Sequence, residues 1–104
     1  MSRGPDAATL LERALKASAA VAGCAVTIAE STVQRWASAT FMGTRHTMTL
    51  ARAPSPQFDA WLAALPEAEF ALRGHLVADL QVMRVTRDDG AVSVELEILT
   101  VEER

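Results

Sequence analysis

Apolar residues near the start of the chain recur at helical spacing. Leu10, Leu11, Ala14, Leu15, Ser18 and Val21 make one stripe, and Glu12, Arg13 and Lys16 fall opposite it. The pattern predicts a helix over residues 6–20. Gly4-Pro5-Asp6 suits its start, because Pro fits the first turn and a carboxylate opposes the positive end of the helix dipole. Gly23 is a natural stop. The spacing then changes to alternation. Cys24, Val26 and Ile28 alternate with Ala25, Thr27 and Ala29, which predicts a strand over residues 23–30, with Glu30-Ser31-Thr32 as the turn after it.

Residues 34–52 are rich in β-suited side chains, among them Trp36, Thr40, Phe41, Thr44, Thr47 and Thr49. They read as one long strand, or two joined at Gly43, where a bulge is the preferred expectation. A bulge would put Ala37, Ala39 and Phe41 on one face with His46, Met48 and Leu50. Without one, Trp36, Met42, Met48 and Leu50 share a face. Ser55-Pro56 opens a second helix over residues 56–65, with Phe58, Trp61, Leu62 and Leu65 buried and Pro66 as its end. Residues 69–87 predict another long strand. Phe70, Leu72, Leu76, Ala78, Leu80 and Val82 form its inner face, and the alternation slips near Val82-Met83, where a bulge is expected. Arg87-Asp88-Asp89-Gly90 reads as a turn. In the last strand, residues 91–101, Val92, Val94, Leu96 and Ile98 point inward, and Glu102, Glu103 and Arg104 form a frayed tail. The order α-β-β-α-β-β predicts a single α+β domain spanning 1–104: an antiparallel four-stranded sheet with two helices on one face.

The 104 residues are half apolar and 22% charged, which fits one folded domain and argues against disorder. A net charge of −3 argues against nucleic acid and anionic membrane as partners. The charge is uneven: residues 31–52 carry Arg35, Arg45, His46 and Arg52 and no acid, while residues 88–103 carry six acids and no base. Basic and acidic strands of this kind are expected to pair, within the chain or across a dimer. Abundant Ala, the preference for Arg over the single Lys16 and the lack of Asn and Tyr suggest a GC-rich bacterial source. The single Cys24 cannot form an internal disulfide, so a reducing, cytoplasmic setting is expected. Val21-Ala22-Gly23-Cys24 has the form of a lipoprotein cleavage box. The preceding apolar stretch is short and Ala-rich, however, and Asp6 and Glu12 stand where a leader wants positive charge.

No metal-ligand spacing, phosphate loop or nucleophile elbow occurs, and no cofactor is expected. The two histidines each lie close to Gly and Arg, in Gly43-Thr44-Arg45-His46 and Arg73-Gly74-His75. If their strands were neighbours, Arg45, His46, Arg73 and His75 would converge into an anion or carboxylate site, the arginines supplying bidentate hydrogen bonds. The competing reading has the arginines solvated or paired with Glu95 and Glu97, His46 satisfied within the core and the glycines serving as bends. Asp79 lies ~13 Å along the strand from His75, too far for a dyad. Cys24 reads as a small buried residue, Trp61 as core, and Trp36 equally as core or interface.

These features predict a non-enzymatic interaction domain that forms a homodimer, with a further protein partner as a second possibility. An anion-binding or small-molecule module, even an enzyme, built on the two Gly-Arg-His segments is the alternative. A secretion-chaperone-like helper is a third reading, resting on size, acidity and expected dimerisation.

Overall fold

The computed structural model describes residues 6–103; Gly4 and Pro5, expected to open the first helix, and Arg104, expected in the tail, lie outside the described residues. Helix α1 spans Ala7–Val21, and the Asp6 carboxylate caps it by accepting from the Thr9 amide at 2.9 Å. That hydrogen bond and a second from the Thr9 hydroxyl hold the Asp6 carboxyl below its ordinary range. The buried stripe is Ala7, Leu11, Leu15 and Ala19. Val21, expected in the stripe, is 90% exposed, because the buried stripe ends at Ala19 and the last residues of the helix lie beyond the core. Gly23 at φ +82° lets the Cys24 amide reach back to the Ala19 carbonyl oxygen at 2.9 Å, which buries Cys24.

Strands β1 (Thr27–Ala37) and β2 (Met42–Arg52) follow, then α2 (Pro56–Ala64) with a 3-10 turn (Leu65–Glu67), then β3 (His75–Asp88) and β4 (Ala91–Glu102). The order is α-β-β-α-β-β, and the strands form one antiparallel sheet in the order β1-β2-β4-β3. The expected α+β fold is thus present. The basic β2 lies against the acidic β4 along its length, from Gly43 opposite Val101 to Arg52 opposite Val92. Met48 and Leu50 from β2 and Val92, Val94, Leu96 and Ile98 from β4 line the inner face. Phe58, Trp61 and Leu62 of α2 and the α1 stripe cover that face. The Trp61 indole N–H donates to Ser18 Oγ at 2.9 Å, tying the helices together.

Four strand boundaries differ from expectation by more than one residue, beginning with the start of β1, which is Thr27 and not residue 23. The first strand runs past Glu30-Ser31-Thr32, which is strand and not turn, and the register slips at Ala29, between Ile28 and Glu30. The reversal comes instead at residues 38–41. There the Ser38 amide donates to the Phe41 carbonyl oxygen, and the Phe41 amide donates back to Ser38 Oγ. No bulge occurs at Gly43, which sits in regular register opposite Trp36. Residues 69–74 are not strand: the chain turns at Arg73-Gly74, with Gly74 at φ +81°, and β3 begins at His75. As a result Val77 faces inward, while Leu76, expected inside, is 55% exposed. The slip expected near Val82-Met83 is present, and a second lies at Ala78. Glu102 is not frayed: it pairs with His75 in the sheet, and the Glu103 amide donates to the Gly74 carbonyl oxygen.

Candidate functional site

The strand order separates the two Gly-Arg-His segments, because β4 lies between β2 and β3. Arg45 and His46 are sequence neighbours and therefore point to opposite faces. Arg45 stands on the outer face, 3.9 Å from the Glu97 carboxylate across the β2–β4 pair. This is the solvated, acid-paired arrangement weighed from the sequence. His46 is fully buried on the inner face. Arg73 sits in the turn before β3, and His75 is the first residue of that edge strand. The four residues do not converge. Arg73 and His75 alone share an open pocket of about 420 Å³, beside Phe70 and Glu103.

His46 belongs to a polar layer under the N-terminus of α1. Its Nε2 lies 2.9 Å from Thr100 Oγ1, and the Thr100 hydroxyl donates to the Thr44 carbonyl oxygen at 3.4 Å. With that hydrogen committed, Oγ1 accepts from His46 Nε2–H. Nδ1 is left buried and without a hydrogen-bond partner among the described residues. Burial first, and the nearby His75 second, push the His46 pKa below its ordinary value, while the Asp6 carboxylate works the other way. A pocket of about 280 Å³ next to this layer is lined by Asp6, Val33, Arg35, Thr44, His75 and Glu102. Arg35 already pairs with Glu102 at 3.1 Å, and Asp6 and Glu102 add negative charge, so the pocket lacks the uncommitted cations an anion needs. No group of three or more His, Cys, Asp or Glu residues among the described residues is placed to hold a metal ion. Cys24 lies in the core, where burial pushes its thiol up, away from nucleophilic use. Asp79 is exposed and accepts from Gln81 Nε2 at 2.9 Å.

The unusual surface is elsewhere. With both helices on the inner face, nothing among the described residues covers the outer face of the sheet. Its top row runs Trp36, Gly43, Val101 and Leu76 across the four strands. The rows below carry mostly Thr, Gln, Glu and Arg. The Trp36 indole lies against Gly43, and its Nε1 is buried without a partner among the described residues. Beside this row, Phe41, Met42, Leu76 and Val101 line an open groove of about 560 Å³ at the end of the sheet. Phe41 and Leu76 are each more than half exposed.

Strand β1 is open in a further way. From Ala29 to Arg35 every residue is exposed, so neither face is covered by the helices. Its second backbone edge has no strand beside it among the described residues. Sequence reasoning found the start of this strand but missed its course past Glu30, because alternation reports burial on one face, and that part of β1 is buried on neither. The remaining cue was its β-branched content, in Thr27, Ile28, Thr32 and Val33.

No protein-family model matches the chain, and no curated protein matches its sequence. No described helix is long and apolar enough to cross a membrane.

Proposed function

We propose that this chain is a non-enzymatic interaction domain that works as a homodimer. The observation that carries the reading is β1, an edge strand exposed on both faces and held to the molecule by β2. Unpaired strand edges present rows of backbone donors and acceptors, which soluble proteins cover, charge or interrupt unless they pair. The bare outer face, with its apolar top row, gives the same domain a second surface for a protein partner. The buried polar groups favour no chemistry: His46 is enclosed, Cys24 is enclosed, and the exposed acids and bases are paired or solvated.

Light scattering across a range of protein concentrations tests the reading. A mass of twice the chain is expected at micromolar concentration, and a strictly monomeric species at high concentration overturns it. A thermal-shift panel of phosphates and carboxylates is expected to leave the melting temperature unchanged. A ligand-induced rise that disappears in Arg45→Ala or Arg73→Ala would instead favour the anion-binding alternative, since a ligand of the folded state must stabilise it.

A further inference from the structure

We infer that the dimer forms edge to edge through β1, with a two-fold axis through Val33 perpendicular to the sheet, so that two four-stranded sheets join into one of eight strands. This rests on the homodimer reading above and says which surface makes it. The two edges of the sheet differ in a way that selects β1. Along β3 the register breaks twice, at Ala78 and Met83, and the 3-10 turn packs against the strand. Asp79, Arg84, Arg87 and Asp88 add charge along its length. Bulges and charges are the usual means of keeping an edge from pairing. Between its bulge at Ala29 and the turn at residue 38, β1 pairs with β2 in unbroken register from Glu30 to Ala37. That segment holds no proline, glycine or lysine.

Symmetry narrows the register. An antiparallel pair related by a two-fold axis keeps the same face of both sheets on the same side, so the axis must pass through a residue facing its own copy. An axis at Thr32 would draw the bulge at Ala29 into the ladder. An axis at Gln34 would set Val33 against the partner's Arg35. An axis at Val33 uses only the regular segment. It pairs Val33 with the partner's Val33, Thr32 with the partner's Gln34, Ser31 with the partner's Arg35, and Glu30 with the partner's Trp36. No like charges stand opposite one another. The Arg35 charge is already balanced within its own chain by Glu102 at 3.1 Å. Val33, 54% exposed in the single chain, is covered by its copy. The inner face of β1 is exposed at Ser31, Val33 and Arg35, so in the joined sheet the two helical layers lie on the same side, with the two copies of β1 between them.

A cysteine placed on the axis reads this geometry, because directly opposed strand residues lie within disulfide range. Val33→Cys is expected to give a majority of covalent dimer under mild oxidation. The wild type, whose Cys24 is fully buried, and Thr86→Cys, on the exposed part of β3, are expected to remain uncrosslinked. Val33→Lys sets two ammonium groups across the axis and is expected to weaken the dimer at least ~10-fold, with an unchanged circular dichroism spectrum because Val33 carries little of the core. A wild-type dimer in which Val33→Cys does not crosslink overturns the edge-to-edge inference while leaving the homodimer reading in place, with the apolar top row of the outer face as the next surface to examine. A monomeric wild type removes both.

Discussion

At Gly43 the missing side chain lets two neighbours close in. A Cβ there would overlap the Thr100 carbonyl oxygen, backbone of the central strand β4, and the Trp36 ring, so the backbone or the indole must shift to admit it. Gly43→Ala is therefore expected to destabilise the fold by about 1–3 kcal/mol, measured by denaturant unfolding. In a Trp36→Ala background the cost should shrink without vanishing, since the Thr100 contact remains; equal costs in both backgrounds would show that the indole does not set it. The glycine was legible as special, but a lone strand glycine does not distinguish a bulge from a close approach. His46 gives a second residue-scale prediction. Its folded-state pKa lies below the ordinary 6.5, so as pH falls through that value the unfolded chain takes up a proton that the folded chain refuses. Stability is then lost from about pH 6.5 down to the lowered folded value and levels off beneath it. Asp6 and His75 face the same layer, and Asp6 stays ionised across this window because its own pKa is depressed. The unfolding midpoint should drop between about pH 7.5 and 5.5, and His46→Gln should flatten that drop. An undiminished slope in the variant would assign the effect to another group.

Among the elements, the two helices and β4 were legible almost whole, whereas the second half of β1 and the start of β3 were not. The alternation Val92, Val94, Leu96, Ile98 survives intact in β4, and Phe58, Trp61, Leu62 and Leu65 are buried as their spacing requires. Past Ile28 the register slip at Ala29 and the double exposure of β1 leave no period to read, so its second half merged with β2. The turn between them added no punctuation either, because Ser38 closes it with its own hydroxyl in place of Gly, Asn or Pro. Helix α2 shows how much a short signal can carry. At nine residues it is too short to persist alone, yet it delivers Phe58, Trp61 and Leu62 to the core. Ser55 Oγ accepts from the Phe58 amide at 3.1 Å and fixes the first turn. Ser55→Ala should cost about 1 kcal/mol in chemical unfolding, and Ser55→Asp, which can also cap, should cost much less. Equal losses in the two variants would mean that the cap hydrogen bond is not what holds the helix.

For the whole molecule, the same asymmetry that hid the second half of β1 from the sequence sets the order in which the structure opens. Strands β2 and β4 are hydrogen-bonded on both sides and sit under the helices, so their amides should open only with global unfolding. Strand β1 contributes Ile28 and little else to the core and should open first in the isolated chain. Edge pairing with a second copy changes that order for one element alone. The β1 amides that point away from β2 gain partners, and opening β1 then requires the dimer to separate. By mass action, their exchange should slow as protein concentration rises, whereas exchange in the β2–β4 ladder should move only as far as global stability moves. Hydrogen exchange followed at dilute and at high concentration separates these cases. Slowing confined to residues 30–36 places the contact on the β1 edge. Slowing confined to residues 41–43, 76 and 101 would place it on the apolar end of the outer face, and exchange independent of concentration everywhere would mean that the chain acts alone.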